Sequence, residues 1–343
     1  MKAVVVHGPK DLRVEDVQES PVGPGEVAVD IAYGGICGSD LHYWQHGRNG
    51  SFEVKEPLVL GHEVVGRVRE LGEDVTGWNV GDAVAIHPAT PCPEPEAKPT
   101  GMHLIQGGTY LGSASTTPHT QGGLVEVLNV QSRQLRRLPE GLDLRTAALA
   151  EPLAIALHGI DRAAGRIEGA RCFVSGAGPI GLLAAAVLKL RGAAYVSISD
   201  LQPRALEVAQ AMGADMTFNI LQAEGPESLG YDVSVEAAGA AASLQTVLDA
   251  TRRGGTVVQL GILPRDAVSI SLSELGLREL TVFGSQRFET ELDEAVELLA
   301  EHPFLAQAIS HDYPLQEADA AFAMALDSVV SSKVLIKVGA HGE

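Results

Sequence analysis

Cysteine is scarce: Cys37, Cys92 and Cys172 are the only three in a chain of 343 residues. So few thiols exclude a disulfide framework and point to a reducing compartment. Basic residues are also outnumbered, 25 against 44 acidic ones, for a formal net charge of −19. That surface repels nucleic acid and anionic membrane, so neither is expected as a partner. Long apolar runs are missing as well. The most apolar segment, Ile180 to Leu190, is too short to span a bilayer, and no basic-then-apolar start marks a signal peptide. These absences predict a soluble, cytoplasmic protein. Hydrophobic residues still make up 45% of the chain, enough for a substantial core, and the length suits two domains.

What is present centres on the stretch from Cys37 to Glu63. It begins Cys37-Gly38-Ser39-Asp40-Leu41-His42-Tyr43-Trp44 and closes on Gly61-His62-Glu63. Thiolate, imidazole and carboxylate together suit Zn²⁺, and three protein ligands leave a position open for chemistry. Ser39 and His42 could carry a proton between a metal-bound oxygen and solvent. His62 and Glu63 are neighbours and would face opposite sides of a regular strand, so they share one metal only if the backbone bends, which Gly61 allows. Taken alone, the same residues also fit a buried cysteine with two surface histidines.

Around this stretch the first half reads as short strands punctuated by glycine and proline. Val27, Val29 and Ile31 alternate with polar or small residues, the period of a half-buried strand. Frequent turns predict a small barrel or rolled sheet with the metal residues on loops and strand ends. From His87 to Gly123 the proline-stiffened run around Cys92 reads as a surface lobe, and one cysteine cannot build a four-ligand structural zinc site. Farther on, Glu151 stands alone among apolar residues from Ala147 to Leu157. A buried carboxylate there demands a cation or a strong donor, although a first-turn glutamate before Pro152 also suits a helix start facing water.

The second half alternates strands and helices. Strand Arg171–Ser175 runs into Gly176-Ala177-Gly178-Pro179-Ile180-Gly181 and then into an apolar helix. This is G-x-G-x-x-G in the setting that cradles a pyrophosphate at a helix N-terminus. The next strand ends at Asp200, where an acid binds the ribose hydroxyls and repels a 2′-phosphate. NAD is therefore expected over NADP, although Arg204 could accept such a phosphate if Asp200 turned away. Six strands with interposed helices describe a doubly wound parallel sheet. Two later helices, Glu291 to Glu301 and Glu317 to Leu326, and a closing strand, Ser332 to Val338, return to complete the first domain.

The set Cys37-Gly38-Ser39-Asp40, Gly61-His62-Glu63, Glu151-Pro152-Leu153 and Gly176 to Gly181, in this order, resembles the zinc-dependent medium-chain dehydrogenases over the whole chain. Within them it looks most like the polyol branch, the sorbitol and L-idonate 5-dehydrogenases, through Tyr43-Trp44 and Phe283-Gly284-Ser285-Gln286-Arg287-Phe288. Gly112-Ser113-Ala114 and His119-Thr120-Gln121-Gly122-Gly123 look idonate-like. The resemblance implies an α/β fold: a GroES-like β-rich catalytic domain (1–147 and 285–343) plus a Rossmann domain (148–284). It implies Cys37 and His62 as zinc ligands, Glu63 as the third, and Glu151 binding zinc or its water. Ser39 and His42 would form the proton relay. Gly176, Gly178, Pro179, Ile180, Gly181, Asp200, Arg204, Leu260, Gly261, Ile262, Ser285 and Gln286 would hold NAD. Tyr43, His119, Arg287 and Phe288 would meet a small polyol or sugar acid. One catalytic zinc per chain is expected and no structural zinc, because Pro95 and Lys98 stand at the spacing of further lobe cysteines. A homo-oligomer, dimer or tetramer, is implied. The rival readings are a zinc-free quinone reductase and a non-catalytic nucleotide-binding protein that keeps the fold.

Overall fold

A computed structural model of the protein describes residues 1–91, 101–104, 107–222, 225–264 and 266–339. Cys92 and the expectation attached to it lie outside the described residues. The chain divides into two compact units. The first takes Met1–Glu151, Leu292–Asp327 and the segment beginning at Lys333, and the second takes Pro152–Glu291 and Ser328–Ser332.

The first unit is built on a seven-stranded sheet. Its order is Leu135–Arg137, Ala83–Ile86, Glu63–Leu71, Glu26–Gly35, Lys333–Lys337, Ile309–Pro314, with Val127–Gln131 also paired to Glu26–Gly35. Glu26–Gly35 therefore pairs with three strands and is the spine of the unit. Its alternation predicts one buried face, yet Ala28 and Ala32 on the other face are buried too. Irregularities in register between Ala28 and Val29, and between Ile31 and Tyr33, shift the side-chain phase along the strand. The register also places the chemistry. Gly35 pairs with Glu63 on one side and with Leu335 on the other, and the Ile36 N–H donates to the Val334 carbonyl at 3.0 Å. Residues 36–37, Glu63 and Lys333 are thereby drawn to one end of the sheet. Val27, Val29, Ile31, Val64, Leu124, Leu315, Phe322 and Val334 belong to the core beneath it.

The second unit is a six-stranded parallel sheet in the order Met216–Asn219, Tyr195–Asp200, Arg171–Ser175, Tyr231–Glu236, Thr251–Gln259, Thr281–Gly284. This is the doubly wound order, with its switch point between Arg171–Ser175 and Tyr231–Glu236. The helix Pro179–Leu190 is buried without a break from Gly181 to Leu188, which is why its sequence is apolar on every side. The helix Ala241–Ala250 gives way at once to the strand Thr251–Gln259, because the chain turns extended at Thr251 (ψ 129°). No described helix is long and apolar enough to cross a membrane.

Candidate active site

Cys37 sits on the short connection that follows the strand Glu26–Gly35, as the turn-rich sequence predicts. It caps the helix Gly38–His46, whose C-terminus closes at Gly47 in left-handed conformation (φ 64°). Asp40 makes this possible. Its carboxylate is fully buried and accepts the Cys37 N–H at 2.9 Å and the Gly61 N–H at 3.2 Å. One side chain thus ties the start of the helix to the turn that precedes His62. Gly61 has φ 95°, and a Cβ there would press on Leu124, so the bend needed between Gly61 and Glu63 requires glycine. As a result the donor atoms of Cys37, His62 and Glu63 all lie within 4.8 Å of one another.

Glu151 is not part of that cluster. It is buried in the first turn of the Ala150–Asp161 helix and accepts the Tyr110 hydroxyl at 2.6 Å. Tyr110 in turn lies against the His62 ring, with centroids 5.5 Å apart. Both carboxylates at this end are thus held by donors. Glu63 receives the Lys333 ammonium on both oxygens, each at 2.7 Å, and the same ammonium donates to the Ile36 carbonyl at 3.1 Å.

The electrostatics describe a site that demands positive charge. Burial pushes the Glu151 carboxyl up to about 7; His62 opposes that shift and Glu63 adds to it. Burial would push the His62 imidazole down, but Cys37, Asp40 and Glu151 hold it well above its ordinary value. Lys333 behaves alike: burial lowers its pKa, and Glu63 and Cys37 more than restore it. Buried negative charge concentrated this way is stable only with cations beside it.

Ser39 and His42 stand one turn apart on the Gly38–His46 helix, so they share a face. Ser39 is partly exposed and His42 exposed. Partial burial and then the neighbouring His46 draw the His42 pKa below its usual value, which leaves the ring uncharged and able to take a proton near neutral pH. The pocket residues fare differently. Tyr43 is buried, and its hydroxyl accepts the Ala114 N–H at 3.0 Å. His119 is engaged by backbone on both ring nitrogens: Nδ1 lies 2.8 Å from the Thr116 carbonyl and Nε2 accepts the Lys55 N–H at 2.9 Å, so the ring ties its own loop to the one that carries Lys55. Gln121 works the same seam, accepting from the Val59 N–H and donating to the Pro57 carbonyl. Phe288 is buried at 1% exposure. Arg287 beside it has φ 52°, a conformation non-glycine residues hold only when the surroundings impose it.

In the second unit the glycine turn has the shape its motif requires. Gly176 has φ 102°, and a Cβ on it would meet the backbone of Ala237 and Ala238. One on Gly181 would overlap the Gly176 carbonyl, whereas one on Gly178 would meet no protein atom within 4 Å. Gly176 and Gly181 are thus required by the fold, and Gly178 keeps open the space where a pyrophosphate would sit. Gly178 caps the Pro179–Leu190 helix with no side-chain cap, so its first N–H groups face that space, and Ile180 lies in the same turn. Asp200 ends the next strand. It accepts the Ala177 N–H at 2.7 Å and the Gln202 N–H at 2.8 Å, one on each oxygen. Gly261 is required by packing: a Cβ there would strike the buried Glu236 carboxylate and the Gly239 backbone. Leu260 and Gly261 donate backbone N–H groups to the Glu236 carbonyl, Ile262 is 85% exposed, Ser285 donates its N–H to the Gln259 carbonyl, and Gln286 is exposed.

The comparisons with known proteins agree with this geometry. Residues 23–140 match the alcohol dehydrogenase GroES-like domain, and residues 179–301 match the zinc-binding dehydrogenase family. Sorbitol dehydrogenase of Gallus gallus is 37% identical, with 93% of this chain and 92% of the relative covered. The chain belongs to the zinc-dependent medium-chain dehydrogenases. L-Idonate 5-dehydrogenase (NAD(P)(+)) of Escherichia coli K-12 is 35% identical over 97% of both chains. The crystal structure of L-idonate 5-dehydrogenase from that organism superposes with a TM-score of 0.89, at 34% identity, over 98% of this chain and 97% of the other.

As a zinc-dependent dehydrogenase the chain uses zinc and a nicotinamide dinucleotide, and its own residues fit both. The sulfur, nitrogen and oxygen donors clustered at Cys37, His62 and Glu63 are those zinc prefers. Zinc would supply Lewis-acid polarisation of a substrate hydroxyl. Three residues important to this end of the sheet carry no motif of their own in the sequence. Asp40 sits inside the cysteine motif but looks like a surface helix charge. Tyr110 and Lys333 lie 41 and 270 residues from their partners Glu151 and Glu63. Only the apolar neighbours of Lys333, Val334-Leu335-Ile336, could have hinted at its burial.

Proposed function

We propose that the enzyme oxidises a secondary alcohol of a small polyol or sugar acid, with NAD as hydride acceptor. One observation carries this reading: the Cys37, His62 and Glu63 donors converge within 4.8 Å beside the Ser39 and His42 face of one helix. Cys37, His62 and Glu63 are assigned to the metal, and Glu151 to the water or hydroxyl next to it. Ser39 takes the proton from the substrate hydroxyl and passes it to His42, which faces solvent. Tyr43 acts indirectly, bracing Ala114. Gly176 to Gly181 and Asp200 hold the dinucleotide and orient it for hydride transfer.

NAD is favoured over NADP. The two Asp200 oxygens spend one hydrogen bond each on backbone, so lone pairs remain for ribose hydroxyls, and their charge repels a 2′-phosphate. Arg204, the group that could welcome such a phosphate, pairs with Glu207 at 3.2 Å. The wild type is expected to be more efficient with NAD. Asp200→Ala should narrow the preference by about 10–100-fold, the value of one or two charged hydrogen bonds. Steady-state efficiencies on both dinucleotides test this, and a wild type that prefers NADP defeats the assignment.

For the substrate, the best reading is L-idonate, oxidised at C5. With His119 and Gln121 committed to loop structure, that reading rests on Arg287, whose guanidinium matches a carboxylate and whose backbone is held in an unfavourable conformation. The second reading, sorbitol or xylitol, is favoured by the identity to sorbitol dehydrogenases. NADH formation measured side by side on L-idonate, sorbitol and xylitol decides. Idonate is expected to lead, and Arg287→Ala to weaken idonate while sparing sorbitol. A neutral polyol outrunning idonate moves the enzyme to the sorbitol reading. The proposal extends to a homo-oligomer, supported by exposed Val282 on an edge strand and exposed Leu277 just before it.

A further inference from the structure

Lys333 has no part in the reaction derived above, yet it is one of the least exposed charged side chains in the protein, 3% accessible. Its ammonium bonds both oxygens of Glu63 at 2.7 Å and the Ile36 carbonyl at 3.1 Å. These three contacts use all three ammonium protons. The Ile36 carbonyl precedes Cys37, so the lysine grips the chain on either side of the metal donors. Backbone register enforces the grip: Gly35 pairs with Glu63 and Leu335 together, and Gly35 must be glycine because a Cβ would run into the Glu63 carboxylate.

A carboxylate can serve a metal and an ammonium together, but not at full strength to both. Two cations sharing one buried anion also repel each other, and burial leaves that repulsion little screened. We propose that Lys333 is a positioning residue that competes with zinc for Glu63, holding the carboxylate toward the metal while weakening its hold, so that the catalytic zinc stays electron-poor and exchangeable. This inference rests on the assignment of Cys37, His62 and Glu63 as the metal ligands.

The test follows zinc release from the holoenzyme into the chromogenic chelator 4-(2-pyridylazo)resorcinol, with folding checked by circular dichroism. Lys333→Met, which keeps the length and removes the charge, should release zinc about tenfold more slowly than wild type. Glu63→Gln should release it faster. Adding Lys333→Met to Glu63→Gln should change the rate little, since the lysine acts through that carboxylate. Lys333→Met releasing zinc as fast as wild type or faster overturns the proposal. So does an equal slowing in the Glu63→Gln background, which would reveal a bulk charge effect. If Lys333→Met alone does not fold, the double variant decides, because it removes both members of the pair and leaves no unpaired buried charge. It should then match Glu63→Gln, and a different rate overturns the proposal. Cys37→Ser separates the two levels of inference. Near-complete zinc loss there upholds the metal site whatever Lys333 does, and wild-type zinc retention removes the metal site and this inference with it.

Discussion

Asp40→Ala is expected to abolish stable zinc binding and to cost about 2–5 kcal/mol of folding stability, the sum for one buried and one partly buried N–H group left without acceptors. Two effects oppose each other. Removing a carboxylate from a site already rich in negative charge relieves desolvation, and burial does push the Asp40 pKa up, against the pull of His62. Yet the Cys37 and Gly61 N–H groups are served by this one side chain, and those bonds set the spacing between the thiolate and the imidazole. The geometric loss wins, because a metal ligand displaced by an ångström no longer coordinates. Asp40→Asn should be intermediate, since its single carbonyl oxygen can serve one N–H well and its amide cannot serve the other. Zinc per chain and urea unfolding of the three proteins check this. Full zinc content in Asp40→Ala would show that the ligands are placed by something other than this carboxylate.

Ser39→Ala should lower turnover by about 10²–10⁴-fold, the usual span for a positioned proton-transfer group. Zinc content and dinucleotide affinity should stay unchanged. The hydroxyl makes no hydrogen bond on which the helix depends, since the cap belongs to Asp40, and a helix accepts alanine readily. The effect should therefore fall on the rate of the chemical step and leave cofactor binding alone. His42→Gln should show a smaller loss that small buffer imidazoles partly rescue, because His42 is exposed and solvent bases can reach its place. A Ser39→Ala enzyme with wild-type turnover, under conditions where hydride transfer limits the rate, removes the hydroxyl from the pathway.

Much of this was legible from residues alone. The strand before and the helix after Gly176 to Gly181, and the acid closing the next strand, define the dinucleotide fold by local rules of turn geometry and helix termini. Those rules act over about twenty residues and do not depend on what packs elsewhere. The donors Cys37, His62 and Glu63 could be picked out by their chemistry, and the bend at Gly61 could be anticipated, because a strand forbids neighbouring side chains from sharing a face.

What the sequence left undecided is long-range. Whether Glu63 or Glu151 joins the thiolate and imidazole depended on strand register: Gly35 pairing with Glu63 brings that carboxylate into the cluster, while Tyr110 holds Glu151 outside it. The backbone partners of His119 and the burial of Phe288 likewise come from tertiary contacts that their own segments do not announce. Lys333 is the clearest case. A lysine at the first position of an apolar strand reads as a solvated flank, and the pairing between residues 35 and 335 buries it against Glu63. Local propensity determined the elements and the donor types; register and burial, which couple residues hundreds of positions apart, decided which charges meet.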